Sequence, residues 1–204
     1  LLLELMVNNE ITNLQLKSML LSSRLIGIPK PGIINGIRPI TIGEVFERLA
    51  GKMLLQTIEL RSIFKSIQYG SGINGGVEKA IHLIRLLLAS NPLFSSLNTD
   101  VYNAYNEAER ARIYLEMEKN PACHNLLRFF RFQHDDISNL YVYEKGKLRL
   151  ILKSERGVKQ GASIASIAYD ISVQPIYEEV QGKHKDIYMI AIHDDLFFIG
   201  EPHL

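Results

Sequence analysis

Two runs of strand-forming residues near the end of the chain flank an adjacent pair of carboxylates. Residues 187–192 and 196–199 are mostly apolar and rich in isoleucine, phenylalanine and tyrosine, and Asp194 and Asp195 lie between them. Short β-branched and aromatic runs on either side of a polar turn are typical of a β-hairpin. We therefore predict a hairpin over residues 187–200 with the two aspartates at its tip.

The rest of the chain alternates between helical and strand-like periodicity, which predicts an α+β fold. Apolar positions at steps of three and four residues predict helices over residues 2–21, 43–63, 77–90, 107–119, 121–133 and 163–174. Ser163 is the expected N-cap of the last of these helices, and Pro175 is expected to bend or interrupt it. Strands are predicted over residues 24–30, 37–42, 93–100, 139–143 and 148–152.

Composition narrows the class of protein. A chain of 204 residues with 47% hydrophobic and 22% charged residues can form one domain or two small lobes. A single cysteine, Cys123, excludes a disulfide framework and a cysteine zinc site. The net charge of +1 argues against a large nucleic-acid footprint, but residues 128–159 carry eight basic and four acidic side chains. Such a local basic face could follow a phosphate backbone, although a solvated surface is the alternative.

A second carboxylate also ends a predicted strand. Asp100 closes the strand over residues 93–100, well before the Asp194–Asp195 pair. Three carboxylates from two neighbouring strands could hold two divalent ions about 3.5–4 Å apart, which is the arrangement used for in-line phosphoryl transfer. Oxygen ligands without thiolates or paired imidazoles favour Mg²⁺ over zinc or copper. For the aspartate pair taken alone, a solvated turn is the alternative.

A basic hairpin precedes the acidic strands. Lys30 and Arg38 lie on either side of a turn rich in proline and glycine at residues 31–36. An ammonium and a guanidinium on one hairpin can grip a polyphosphate, the guanidinium in a bidentate manner. Two exposed basic residues on a loop are the alternative for this segment taken alone.

In chain order, these segments resemble the fingers and palm of a reverse transcriptase of the non-LTR retroelement type. Five motifs carry the resemblance: Ile-Pro-Lys-Pro-Gly at 28–32 with Gly-Ile-Arg-Pro-Ile at 36–40, Gln-Tyr-Gly at 68–70, Asp-Val-Tyr-Asn-Ala-Tyr-Asn at 100–106, Arg-Gly-Val-Lys-Gln-Gly at 156–161, and His-Asp-Asp at 193–195. The resemblance implies a right-hand palm, an antiparallel sheet backed by helices, together with fingers. Residues 1–92 would be fingers-like and residues 93–204 the palm, one continuous domain cut from a longer reading frame and lacking the thumb.

The resemblance also implies roles for single residues. Asp100, Asp194 and Asp195 would be the catalytic carboxylates and would hold two Mg²⁺ ions, with Mn²⁺ as a substitute. Lys30 and Arg38 would contact the triphosphate of the incoming nucleotide. The bulk of Tyr105 would exclude a ribose 2′-hydroxyl, and Gln160 and Gly161 would line the nucleotide pocket. The implied partners are an RNA template, a DNA primer and a deoxynucleoside triphosphate, with no membrane. The implied location is intracellular, the nucleus included, and the oligomeric state stays open.

The implied activity is RNA-directed DNA polymerisation. Two positions depart from the family's pattern, because Ile192 stands where a tyrosine precedes the His-Asp-Asp segment and Ala162 follows the Gln-Gly pair in place of aspartate. Neither departure removes a carboxylate. An RNA-dependent RNA polymerase palm is one alternative, against which Tyr105 argues. A catalytically silent nucleic-acid-binding module derived from a reverse transcriptase is the other, and an unrelated α+β domain would require the order of five motifs to be accidental.

Overall fold

The computed structural model describes residues 1–64 and 67–202 and divides the chain into two compact units. Unit 1 comprises Leu1–Ile58 and Tyr105–Ala165, and unit 2 comprises Glu59–Ala104 and Ser166–Leu204. Each unit therefore combines two segments that are far apart in the sequence, and each has its own sheet. The predicted α+β class is confirmed, whereas the boundary between fingers and palm at residue 92 stays a prediction.

The helices and strands follow one another along the described chain without a long irregular segment. Their bounds are α1 Leu2–Val7, α2 Leu14–Leu21, β1 Ser23–Pro29, β2 Ile37–Gly43, α3 Val45–Gln56, α4 Leu60–Ile63, α5 Gly76–Ser90, β3 Ser95–Asp100, α6 Ala104–Glu107, α7 Arg110–Lys119, a 3₁₀ turn Pro121–Cys123, α8 His124–His134, β4 Ser138–Glu144, β5 Lys147–Ser154, α9 Ala165–Lys183, β6 Tyr188–Ile192 and β7 Asp195–Gly200.

Unit 1 has a mixed four-stranded sheet with the strand order β2-β1-β4-β5. The β1–β2 and β4–β5 pairs are antiparallel hairpins, and β1 joins β4 in parallel through Ser23 and Arg24. The β4–β5 turn has Lys145 at φ 48° and Gly146 at φ 77°. Positive φ at both central residues is the backbone that a two-residue hairpin turn of type I′ needs. The predicted hairpin around this turn is confirmed.

Helices α1, α3 and α8 pack together in unit 1. The buried positions of α8 include Leu126, Phe129, Phe130 and Gln133, which recur at steps of three and four residues and so share one helix face. Leu126, Phe129 and Phe130 are fully buried, as is Phe132. Aromatic side chains of this size contribute most of the apolar area that stabilises a small core.

Unit 2 has a three-stranded antiparallel sheet with the order β3-β7-β6. Helix α5 packs against β6 and β7, with Ala80 against Ile190 and Ile199. Tyr177 of α9 packs with Met189 and further buried residues in a second apolar cluster. The sheet is therefore held by apolar contacts from β6 and β7, while β3 leaves most of its residues exposed.

Two of the predicted helices are each divided into two helices in the structure. Residues 2–21 form two helices, because Asn9 turns into the left-handed region at φ 58° and the Asn13 side chain caps the start of α2. Residues 43–63 also form two helices, since Gly43 ends β2 and the chain leaves the helix at Thr57.

Pro175 does not interrupt α9, which runs through it with buried residues on both sides. Packing on both sides thus outweighs the loss of one backbone hydrogen bond. The hydroxyl of Ser163, the predicted N-cap, has no hydrogen-bond partner within the described residues, and α9 begins only at residue 165. Among the helices of residues 1–64 and 67–202, none combines the length and the apolar character that a membrane crossing requires.

Candidate catalytic site

Two of the three predicted carboxylates face each other across neighbouring strands of unit 2. Asp100 ends β3, Asp195 begins β7, and the two residues are direct partners in the antiparallel register. Directly opposed residues in such a pair project from the same face of the sheet, with Cβ atoms about 4.5–5.5 Å apart. Asp194 lies beside them in the two-residue turn that joins β6 to β7. The sheet therefore gathers all three carboxylates at one end, and their catalytic role stays a prediction.

The electrostatics of this sheet end reflect crowding of negative charge. The pKa of Asp195, an exposed side chain, is raised first by partial desolvation of its carboxyl group and then by the negative charges of Asp194 and Asp100, while His193 lowers it. The pKa of the buried Tyr169 hydroxyl is likewise raised by burial and by nearby carboxylates, including Asp194 and Asp100. Like charges held together in this way favour a cation between them.

The donor set suits a hard divalent cation, because all three groups are carboxylates and neither a thiolate nor a pair of imidazoles competes with them. The three side chains are not yet in a ligand arrangement, since no three His, Cys, Asp or Glu residues in the described part of the chain form a group that could hold a metal ion. A bound cation would have to draw the carboxylates together. The residues thus suit the ion by donor type and by strand register, but not by the positions of their side-chain oxygens in this structure.

The Gln-Tyr-Gly segment supports the hairpin from its outer edge. Gln68 forms an isolated parallel bridge with Ala191 of β6, and Tyr69 N–H donates to the Ala191 carbonyl at 2.7 Å. The fully buried Gln68 side chain accepts two backbone N–H bonds through Oε1, from Gly70 at 2.8 Å and from His193 at 3.0 Å. This motif therefore holds the turn that carries the aspartates.

A buried carboxylate from α9 contacts the same turn. Asp170 is fully buried, and its Oδ2 accepts the Ser71 hydroxyl at 2.6 Å and lies 2.9 Å from His193 Nδ1. Burial raises the pKa of Asp170 although both hydrogen bonds lower it, and the bond to Asp170 raises the pKa of His193. Sequence reasoning missed Asp170 and Ser71, which belong to none of the recognised motifs.

Lys30 and Arg38 belong to the β1–β2 hairpin of unit 1. Lys30 follows β1, and its N–H continues the ladder by donating to the Gly36 carbonyl at 2.8 Å. Arg38 is exposed on β2 opposite Ile28. Because Ile28 and Lys30 are two positions apart, the register puts Lys30 and Arg38 on the same face of the hairpin. Two cations on one face are a suitable group for an anionic ligand.

The Gln160–Gly161 segment is held against the edge of β2. The Gln160 carbonyl accepts both the N–H of Thr41, at 2.7 Å, and the Thr41 hydroxyl, at 2.9 Å. Gly161 has φ 111°, and a Cβ there would collide with the Thr41 carbonyl. Only glycine accommodates this close approach of two backbones.

A cavity of about 290 Å³ lies in unit 1 beside this segment. It is bordered by both strand and loop residues, including Pro39, Thr41, Asn106, Arg156 and Gln160. The predicted sugar-contacting residue, Tyr105, is half-buried next to Asn106, and its carbonyl accepts the N–H of Val158 at 2.8 Å. Unit 1 therefore brings Gln160 and the Tyr105 segment near one cavity, whereas the carboxylates belong to unit 2.

Comparison with known proteins finds sequence similarity to a retrotransposon protein. The Retrotransposable element SLACS 132 kDa protein of Trypanosoma brucei gambiense is 28% identical over 169 residues, which cover 81% of this chain and 14% of the relative. No family model matches the sequence.

Solved telomerase structures share the fold. Apo telomerase from Candida tropicalis, truncated from its C-terminal domain, has a TM-score of 0.60 and 16% identity, covering 89% of this chain and 44% of that chain. The C. tropicalis enzyme in complex with a TWJ fragment of telomeric RNA has a TM-score of 0.60 and 17% identity, covering 91% and 37%. The Candida albicans complex has a TM-score of 0.57 and 16% identity, covering 89% and 38%.

The chain has a reverse-transcriptase-like fold. The retrotransposon relative and the telomerase fold agree with the order of motifs along the sequence. The domain spans less than half of each of these proteins, so their complete activities are not carried over with the fold. Within this fold, Ile192 and not an aromatic residue ends β6, where it packs beside the Ile190–Ile199 cluster.

Proposed function

We propose that this domain takes part in RNA-directed DNA synthesis, in which a primer 3′-hydroxyl attacks the α-phosphate of a deoxynucleoside triphosphate. The observation that carries the proposal is the register pairing of Asp100 with Asp195, beside Asp194 in the turn. Two adjoining backbones fix the points from which these carboxylates project. Catalysis of phosphoryl transfer depends mainly on such positioning and on electrostatics.

Asp100, Asp194 and Asp195 are the residues we propose to hold two Mg²⁺ ions, or Mn²⁺ in their place. When bound, such ions supply a lowered pKa for the attacking hydroxyl and neutralise the departing pyrophosphate. The carboxylates themselves compensate the cationic charge and orient the ligand shell. Their mutual repulsion without a cation, which contributes to the raised pKa of Asp195, supports this assignment.

The nucleotide-binding roles are proposals for unit 1. Lys30 and Arg38 offer two cations on one hairpin face for a triphosphate. The Thr41 bonds to the Gln160 carbonyl fix the backbone of the Gln160–Gly161 segment. Tyr105 supplies the bulk that would clash with a ribose 2′-hydroxyl, so deoxynucleotides would be preferred.

The proposed template is RNA. The support comes from the fold, which the domain shares with a telomerase solved in complex with a telomeric RNA fragment. Local charge is compatible with a phosphate backbone, since residues 128–159 have an excess of basic over acidic side chains. An RNA-dependent RNA polymerase would incorporate ribonucleotides instead, which a single assay separates.

The test measures metal binding and primer extension on the same 204-residue chain. Mn²⁺ affinity is read from the loss of the free-ion EPR signal, and extension from a labelled DNA primer on an RNA template. We expect Asp100→Asn and Asp194→Asn to weaken Mn²⁺ binding and abolish extension, while Asp186→Asn, which removes an exposed carboxylate from a loop of the same unit, leaves both unchanged. Mn²⁺ binding that is unchanged in both Asp100→Asn and Asp194→Asn would refute the assignment of these residues as metal ligands.

A further inference from the structure

We infer that Asp170 and His193 are positioning residues for the aspartate turn, in which the Asp170 carboxylate anchors the His193 imidazole and so fixes the direction of Asp194 and Asp195. The inference rests on the proposed function of those two aspartates. It adds a polar support whose carboxylate, Asp170, lies outside all of the recognised motifs. Neither residue is proposed to contact a cation or a substrate.

The anchor consists of two hydrogen bonds to one buried oxygen. Asp170 Oδ2 accepts the Ser71 hydroxyl at 2.6 Å and lies 2.9 Å from His193 Nδ1. Because an ionised carboxylate only accepts hydrogen bonds, we assign the imidazole Nδ1 as the donor. Asp170 Oδ1 is buried and has no partner within the described residues. Because a buried carboxylate is costly without hydrogen bonds, His193 and Ser71 are the groups that make Asp170 tolerable there.

The backbone of the turn explains why an anchor is needed. His193 has φ 57°, in the left-handed region that residues other than glycine seldom adopt, although histidine, asparagine and aspartate do so more often than most. Its N–H donates to Gln68 Oε1 at 3.0 Å, and its ring lies so close to Gly70 that a Cβ there would be 2.9 Å from ring and backbone atoms. The side chain of His193 is thus held by Asp170, and its backbone by Gln68.

The position of His193 makes this support effective. It is the first residue of the two-residue turn, and Asp194 and Asp195 follow it directly. A rotation about the His193 backbone would therefore redirect both aspartates and break the register with Asp100. Groups that orient metal ligands without touching the metal typically change metal affinity or activity by about 10–100-fold when they are removed.

Asparagine gives a conservative replacement at position 193. Its side-chain nitrogen lies near the place of the imidazole Nδ1, and asparagine tolerates the left-handed region better than most residues. His193→Asn therefore keeps the donor and the backbone, whereas His193→Ala loses the donor. Asp170→Asn keeps the volume of the buried side chain but removes its charge.

The experiment titrates Mn²⁺ into the 204-residue chain and follows the free-ion EPR signal, with urea unfolding in EDTA on the same samples. We expect His193→Ala and Asp170→Asn to weaken Mn²⁺ binding about 10–100-fold, and His193→Asn to recover most of the affinity. ¹⁵N imidazole spectra should show Nδ1 protonated in the parent chain and a changed shift in Asp170→Asn. In primer extension by His193→Ala and Asp170→Asn, kcat should fall with little change in the KM for the nucleotide.

The controls separate this inference from the proposed function. His82→Ala removes an exposed imidazole from α5 and should leave Mn²⁺ affinity unchanged. If Asp194→Asn does not weaken Mn²⁺ binding, the proposed function itself fails. If Asp194→Asn does weaken it while His193→Ala and Asp170→Asn bind Mn²⁺ as the parent chain does, only the positioning role is overturned. It is also overturned if His193→Asn loses as much affinity as His193→Ala, because the donor would then have no effect.

Discussion

In the absence of a cation, removing one of the opposed carboxylate charges in unit 2 should raise the free energy of unfolding of the chain. Asp100 and Asp195 are directly opposed in the register, and like charges in that relation destabilise a sheet. Asp100→Asn retains the shape of the side chain and removes the charge. In EDTA we therefore expect this variant to unfold at a higher urea concentration than the parent chain.

The magnitude follows from the strand geometry. Opposed Cβ atoms lie about 5 Å apart, and two unit charges at that distance repel by about 0.8 kcal/mol in water and about 3 kcal/mol at an effective dielectric constant of 20. Both residues are exposed, so the lower figure applies. We expect a gain of about 0.5–1 kcal/mol in the free energy of unfolding at low salt, which shrinks in 1 M NaCl as screening increases.

Mn²⁺ should reverse the order of stability. A ligand at 100 times its dissociation constant stabilises the folded state by about 2.7 kcal/mol, which exceeds the gain from removing one charge. The parent chain should then be the more stable of the two, while Asp186→Asn should follow the parent in both conditions. Urea titrations at 25 °C with and without Mn²⁺ measure the effect. A variant that is less stable than the parent in EDTA, or that gains as much from Mn²⁺, would contradict the reasoning.

Three further predictions concern both units. Gly70→Ala should lower the free energy of unfolding by about 1–3 kcal/mol, because the added Cβ would lie 2.9 Å from His193 atoms. Gly182→Ala is the control: a Cβ there has nothing within 4 Å, so this variant should raise the free energy of unfolding by about 0.5–1 kcal/mol in the same urea assay. Burial lowers the pKa of Lys159 to about 8 from its ordinary 10.5. Between these two pH values Lys159 is largely neutral in the folded chain and charged in the unfolded chain, so the unfolded chain binds more protons. The free energy of unfolding should therefore rise with pH, by at most about 1.4 kcal/mol per pH unit. Lys159→Met should abolish this rise in urea titrations between pH 8 and pH 10, and a parent chain whose stability falls over that range would contradict the sign. Tyr105→Val should reduce the preference for deoxynucleotides over ribonucleotides at least about tenfold in primer extension, and an unchanged preference would exclude the proposed clash.

Local pattern was sufficient for the strands that carry the aspartates. The hairpin over residues 187–200 and the strand ending at Asp100 are both present, because short apolar runs around polar turns encode them directly. The pattern failed where a single residue decides the backbone, as at Asn9, or where packing overrides a helix breaker, as at Pro175. The strand order that opposes Asp100 to Asp195 depends on contacts between distant segments, which periodicity does not report.

The polar contacts that support the aspartate turn also depend on residues that are distant in the sequence. Ser71 and Asp170 are separated by 99 residues; Ser71 directly follows the Gln-Tyr-Gly motif, but nothing in the sequence around Asp170 marks it as its partner. Ile192 contributes from the apolar side, because it packs beside the Ile190–Ile199 cluster while pairing in register with Asp195. The hairpin end is therefore fixed by apolar packing before the turn and by the buried Asp170 carboxylate of α9, which contacts His193 in the turn. The departure from tyrosine at position 192 leaves that framework intact, since the residue's role in the fold requires only an apolar side chain.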